Sequence, residues 1–193
     1  MTHRKNTSVL GFDLDGVILD HTKNKVRLAS KLGIKISADK TPSEIIKKHL
    51  PDKIYHNFQE ILYDDPVISR SSPVMPGLKN TLAKIKASGL NFFLISRRRN
   101  PDKTVNLMKY HKIWPEYFNE KNTFFVDNKE DKDIRAKKLG ITHYIDDEIT
   151  VLNLLVSVQN KFLFDNLNVF KNSENYTRIR SWAEFNKILN KLT

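Results

Sequence analysis

The chain has 193 residues, with 33 Lys and Arg against 22 Asp and Glu, giving a formal charge of +11. It has no cysteine, which excludes disulfides, thiolate metal centres and a cysteine nucleophile. At 39% hydrophobic residues it is too apolar for a disordered chain and long enough for one domain with a small appendage.

In chain order, residues 9–14 read as a strand buried on both faces. This run is too short for a secretory segment behind the basic residues 1–5, so no signal peptide and a soluble, cytoplasmic protein are expected. Residues 26–32, 41–50 and 52–63 then read as helices, the second opened by Thr41, Pro42, Ser43 and Glu44 as cap and capping box. The Pro/Ser-rich stretch 69–76 reads as a return linker.

From there strands and helices alternate. A helix over 76–88 stops at Gly89, a strand follows at 91–95, and Asn100-Pro101 opens a helix to about 113. A strand at 123–127, a helix over 129–139 closed by Gly140, and strands at 143–146 and 161–165 complete the pattern. Between those last strands the apolar run 151–158 spans about two helical turns, well short of a membrane span. Ser181 and Glu184 begin a terminal helix over 181–192. The reading is an α/β fold, doubly wound around a mostly parallel sheet. The core takes 1–22 and 73–193, and a helical subdomain is inserted at 23–72.

The first strand runs into Asp13, Leu14, Asp15, Gly16 and Val17. Ligands of open α/β sheets gather at the carboxyl ends of strands, and acids two apart on a strand point to one side, so Asp13 and Asp15 are expected to converge. Two such charges persist together only where a cation joins them or one of them holds a proton. Gly16 lets the chain turn at once. The second strand ends near Ser96, followed by Arg97, Arg98 and Arg99, a hydroxyl and three guanidiniums able to bind phosphoryl oxygens. Lys129 and Lys132 lie on the helix after the third strand, and the fourth strand ends in Asp146, Asp147 and Glu148. Adjacent carboxylates at a sheet edge suit a hard divalent ion such as Mg²⁺. Glu148 reads as a helix cap.

Asp13-Leu-Asp15-Gly16-Val17, Ser96 after an apolar strand, Lys132, and Asp146 with Asp147 follow the order of the four motifs of the haloacid dehalogenase (HAD) superfamily, which the chain resembles over about 8–150. The resemblance implies a Rossmann-like core, a small helical (C1-type) cap between the first two motifs, and a Mg²⁺-dependent phosphatase. Carried onto this sequence, it implies Asp13 as the nucleophile that forms an aspartyl-phosphate and Asp15 as general acid/base. Ser96, Arg97 and Lys132 would bind phosphate, with Lys132 also steadying the nucleophile. Asp13, Asp15, Asp146 and Asp147 would surround the metal, the doublet leaving open which of its members touches the ion. An aspartate at position 15 resembles the phosphatase rather than the dehalogenase branch. A general acid must be protonated as the leaving oxygen departs, so a raised pKa is expected at Asp15.

The expected substrate is a nucleotide or another small phosphorylated metabolite, with no membrane partner; the oligomeric state is left open. A phosphomutase using the same phosphoenzyme is the nearest rival. A nucleic-acid-binding or polynucleotide-end-processing protein is the rival from another class, drawn from the +11 charge and the three arginines. His49, His56 and Tyr63 are candidate substrate contacts of the cap. His21 reads as a packed or exposed residue and Asp20 as a helix cap. Asp165 is the one late acid able to approach the active face.

Overall fold

The computed structural model describes residues 8–192; the basic opening at 1–5 lies outside them. β1 (Val9–Phe12) leads into α1 (Thr22–Lys31), a 3-10 turn (Ala38–Lys40), α2 (Ser43–Ile46), α3 (Asp52–Asp64) and α4 (Pro66–Arg70). The chain continues through α5 (Leu78–Ala87), β2 (Asn91–Ser96), α6 (Pro101–Tyr110), β3 (Thr123–Phe125) and α7 (Lys129–Leu139). It ends with β4 (His143–Asp146), α8 (Ile149–Leu154), β5 (Asn160–Phe164), β6 (Thr177–Ile179) and α9 (Trp182–Leu189).

The strands form one six-stranded parallel sheet in the order β3-β2-β1-β4-β5-β6. From β1 the chain first builds outward through β2 and β3, then crosses back to lay β4, β5 and β6 on the other side. The reversal lies between β1 and β4, and in such sheets it opens a crevice at the carboxyl ends of the two strands.

Side-chain alternation covers both faces of the sheet. Leu10, Phe12, Ile145, Phe162 and Phe164 face one way, into a core completed by Leu78, Leu82, Ile85, Trp182 and Phe185. Tyr144 and Leu163 face the other, packing with Ala136 on α7 and with Val151 and Leu152 on α8. Gly11 is required where β1 passes β4, because a Cβ there would overlap the Tyr144 ring. Trp182 is fully buried and donates its indole N–H to the Val17 carbonyl, tying the last helix to the loop after β1.

The helices between β1 and α5 close around an apolar cluster of their own, formed by Leu28, Ala29, Ile46, Leu50, Phe58, Leu62 and Ile68. The two strands of chain that connect them to the sheet run together. Asp20 N–H donates to the Pro73 carbonyl and Met75 N–H to the Ile18 carbonyl, at 2.8 Å each.

Three local expectations are corrected. The helix expected over 41–50 is confined to Ser43–Ile46, because the Thr41 hydroxyl donates back to the Ala38 carbonyl and the Glu44 carboxylate accepts the Thr150 N–H. The first two residues of the stretch read as a linker belong to α4, which Asp65 caps by accepting from Val67 N–H and Ile68 N–H, with Pro66 in its first turn. β6 is a three-residue edge strand with an exposed first residue, too short to carry a periodic signal. No described helix is long and apolar enough to cross a membrane.

Candidate active site

β1 and β4 are adjacent, so the residues that end them meet. Asp13 continues the ladder by donating its N–H to the Ile145 carbonyl at 3.0 Å, and Asp146 ends β4 beside it. Lys132 reaches the pair from α7. Its Nζ donates to Asp13 Oδ1 at 2.7 Å and to Asp146 Oδ2 at 2.8 Å, with all three side chains buried. Its ammonium also lies 5.9 Å from the centre of the Tyr144 ring, the ring that the absent side chain of Gly11 makes room for. Lys129 is engaged elsewhere, with Glu148 and the Thr150 hydroxyl.

The electrostatics follow from this crowding. Burial pushes the Asp13 carboxyl up to about 7, aided by the negative charges of Asp146 and Asp15 and opposed by Lys132. Burial also raises Asp146, and raises Asp147 well above the usual carboxylate range with help from Glu148, Asp146 and Asp13. Burial alone would lower Lys132, but Asp13 and Asp146 outweigh it and hold the ammonium firmly protonated.

Asp13, Asp146 and Asp147 each offer an oxygen within 4.8 Å of the others. Three carboxylates with raised proton affinities around one point form a hard-oxygen donor set of the kind a divalent ion such as Mg²⁺ takes, and the residues fit that ion. Gly16 shapes the group. It has φ +83°, in the left-handed region, and a Cβ there would collide with the Asp147 carboxylate.

Asp15 departs from expectation. Its N–H donates to Asp13 Oδ2 at 3.0 Å, so the two acids are close. Its own carboxylate, however, faces two cation-capable groups and is not one of the three clustered acids. Arg98 donates from Nε to Oδ2 at 3.0 Å and from Nη2 to Oδ1 at 2.7 Å, and His21 Nε2 lies 2.7 Å from Oδ1. The Asp15 carboxylate is thus taken by Arg98 and His21 rather than set among the clustered acids. The raised pKa expected of it is not found: burial would raise it, but Arg98 and then His21 outweigh burial and hold it well below the usual carboxylate range.

The His21 tautomer follows from Asp15, whose ionised carboxylate can only accept from Nε2 at 2.7 Å. In the neutral ring Nδ1 then accepts from the Ser72 hydroxyl at 2.7 Å, the serine accepting in turn from Asn24 Nδ2 at 2.8 Å. His21 then presents Nε2–H to Asp15. Burial keeps the imidazole neutral by lowering its pKa, against the pull of Asp15. Residues on both crossings between the sheet and helices α1–α4 thus hold one carboxylate.

These groups open into a cavity of about 310 Å³ lined by Asp13, Asp15, Lys132, Asp146 and Asp147 on the sheet side. Arg97, Arg98, Arg99 and Asn100 line it from the loop after β2, and His56, Gln59, Glu60, Tyr63 and Asp64 from α3. Ser96 is buried just beneath this wall and does not line it; its Oγ accepts the Arg98 N–H at 3.2 Å. Arg97 is exposed on the wall. Arg98 is buried, stacks 5.0 Å from the Tyr63 ring centre and donates to the Tyr63 carbonyl. Asn100, expected as a helix cap, donates to Asp64 instead.

Of the remaining candidates, His49 does not line the cavity. Asp20 accepts the Thr22 N–H at the start of α1. Asp165 accepts from Val169 N–H and Phe170 N–H and pairs with Arg178, so it braces the loop after β5. Sequence reasoning missed the parts of Arg98 and His21. For Arg98 the signal was its place two residues after Ser96, inside a cationic run on a chain leaving a strand. For His21 no local signal exists, since its partners come from positions 15 and 72.

No family model and no curated protein matches the sequence. Solved structures do match. A haloacid dehalogenase-like protein of unknown function from Agrobacterium tumefaciens aligns with a TM-score of 0.67 at 13% identity, over 97% of this chain and 99% of that one. A HAD family hydrolase from Deinococcus radiodurans, with bound phosphate and sodium, gives 0.66 at 15% identity over 96% of each chain. A Thermotoga maritima protein described as a β-phosphoglucomutase gives 0.66 at 12% identity, over 96% of this chain and 100% of that one. The chain has the HAD-like fold.

Proposed function

We propose that this chain is a phosphomonoester hydrolase of the capped HAD type that works through an aspartyl-phosphate on Asp13. The observation that carries the reading is Lys132 bridging Asp13 and Asp146 beside Asp147, at the carboxyl ends of β1 and β4. That its fold neighbours include a hydrolase with bound phosphate and a protein described as a phosphoryl-transfer enzyme supports it. The helices over 22–70 act as the cap, and α3 supplies the wall that selects the substrate.

An anionic nucleophile attacks a phosphoryl group only where cations offset the repulsion. Lys132 supplies one such charge, donating to Asp13 Oδ1, while the Asp15 N–H donates to Oδ2, so both oxygens of the nucleophile are held in place. Asp13, Asp146 and Asp147 would hold Mg²⁺, which when bound neutralises charge on the transferring group and favours the ionised form of Asp13. The Ser96 hydroxyl lies beneath the cavity wall, where it accepts the Arg98 N–H and holds the arginine loop in place.

The attack forms the bond from Asp13 to phosphorus as the ester P–O bond breaks, and the leaving oxygen departs as an aryloxide or, for an alcohol, with the proton of Asp15 in its protonated form. Asp15, held ionised by Arg98 and His21, is the group placed to accept a proton from the water that attacks phosphorus and releases Asp13, and in either role it takes up that proton against its pairing. To protonate a poor leaving group Asp15 must first take up a proton against that pairing. Aryl phosphates, whose leaving groups need no proton, are accordingly the better substrates for a first assay.

The test is hydrolysis of p-nitrophenyl phosphate with and without Mg²⁺ by the wild type and Asp13→Asn. Mg²⁺-dependent release of p-nitrophenol and inorganic phosphate, lost in the variant, is expected. Retained turnover in Asp13→Asn rejects the phosphoenzyme. Release of p-nitrophenol without inorganic phosphate points to transfer onto another acceptor.

A further inference from the structure

The cations lining the cavity are of two kinds. Lys132 is spent on Asp13 and Asp146, and Arg98 on Asp15. Arg97 and Arg99, also on the wall, have no hydrogen-bond acceptor or ion-pair partner among the described residues. The lining acids outside the carboxylate triad are mostly matched: Asp15 by Arg98, Glu148 by Lys129, and Asp64 by Asn100 and Lys103. Among the described residues only Glu60, exposed on α3, is unmatched. With the pairs set aside, the wall beyond the triad holds two positive charges against one negative.

The chain geometry produces this division. Neighbouring side chains leaving a strand point apart. Arg98 turns inward, 7% exposed, onto Asp15, while its two neighbours remain exposed on the cavity wall. Arg97 is close enough to Glu148 and Tyr55 to influence both, which places it toward the β4 side of the cavity. Two unpaired guanidiniums on one cavity wall suit a dianion, since each can give charge-assisted, bidentate bonds to phosphate oxygens. A phosphomonoester carries about −1.5 to −2 at neutral pH, against −1 for a carboxylate.

Resting on the phosphatase reading above, we propose that Arg97 and Arg99 form a second phosphate subsite. The substrate then carries two phosphoryl groups, one delivered to Asp13 and the other held by the arginine pair. The chemical class is a bisphosphate whose two groups are separated by a sugar-sized framework, as in a nucleoside 3′,5′-bisphosphate or the phosphorylated end of an oligonucleotide. The cavity, at about 310 Å³, is of the size that admits such a molecule.

The test separates this inference from the reading beneath it. In an Asp13→Asn background, which removes the attacking oxygen, affinities for adenosine 3′,5′-bisphosphate, adenosine 5′-monophosphate and phosphoglycolate are measured calorimetrically with Mg²⁺ present. The same titrations are run with Arg97→Ala/Arg99→Ala added and, should that form melt early, with Arg97→Gln/Arg99→Gln. The bisphosphate should bind about tenfold more tightly than the monophosphate in the parent, and the preference should fall below about threefold without the arginines. A parent preference below about threefold, or one that survives loss of both arginines, overturns the subsite. So does equal arginine dependence for phosphoglycolate, which would make this a carboxylate site. Wild-type turnover of p-nitrophenyl phosphate is scored separately: if it is present without the binding preference, the subsite falls and the hydrolase stands, and the reverse pattern spares the subsite alone.

Discussion

Arg98 grips Asp15 with two nitrogens, Nε at 3.0 Å from one carboxylate oxygen and Nη2 at 2.7 Å from the other. A buried pair of this kind costs most when one partner is removed, because the other charge is left behind. Arg98→Met should therefore lower stability by about 3 kcal/mol, the low end of that range because Asp15 keeps some solvent contact and its His21 bond. Urea denaturation measures it. A loss below about 1 kcal/mol would mean that the pair contributes little to the fold.

Lys132 faces two acids at once, so its replacement by Met both removes a transition-state charge and leaves Asp13 and Asp146 to repel. The expected loss in kcat is about 10²–10³, in the range found when one preorganised donor to a developing charge is removed. A pH-jump or steady-state assay on p-nitrophenyl phosphate reads it. An equal change confined to KM would count against a role in the chemical step.

The proton on Asp13 couples stability to pH. Its carboxyl is pushed up to about 7 by burial, against about 3.9 in an unfolded chain. The folded state keeps a proton that the unfolded state has already released. In metal-free buffer this group's contribution is present below about pH 4 and is lost as pH rises through about 7. A divalent ion competes with that proton. The rise in Tm on adding Mg²⁺ should then be small at about pH 5 and larger at about pH 8, which differential scanning fluorimetry can follow. Asp15 shifts the other way, so its contribution is lost only in strong acid and does not obscure this window.

Gly16→Ala should damage the carboxylate cluster before it damages the fold. The new methyl group meets both an unfavourable φ of +83° and the Asp147 carboxylate. With Asp147 turned away, Mg²⁺ affinity should fall at least about tenfold, as measured by titrating activity or thermal shift. Unchanged metal dependence would remove Asp147 from the site.

Phe58 is the largest buried side chain of the cluster that closes helices α1–α4. Its truncation to Ala costs about 3–5 kcal/mol by the usual cavity and transfer terms. If the helices form a separate cap, hydrogen exchange should rise across 22–70 while the sheet stays protected. Uniform loss of protection would argue for a single cooperative unit.

Several elements were legible in the sequence because their signals are local. Gly140 ends α7 in the left-handed conformation at φ 66°, and Asn128 with Asp131 forms a capping box at its start. Ser181 caps α9 by accepting the Glu184 N–H, and the strands other than β6 announced themselves as apolar runs. α4 was missed although Asp65-Pro66 carries its start. The residues expected in the site also came from local patterns: acids at the ends of β1 and β4, and a lysine on α7.

What those patterns could not supply was orientation. Period and motif place Asp13, Asp15 and the arginine run at strand ends, but they do not say which arginine turns inward. Nor do they say that His21 and Ser72, fifty-one positions apart, share one proton bridge to Asp15. The sequence by itself determined the parallel α/β order and the list of charged groups, because hydrophobic period and chain-end chemistry act over a few residues. Only the tertiary structure decided which charges neutralise one another, because desolvation and ion pairing depend on distances that the folded crossings set.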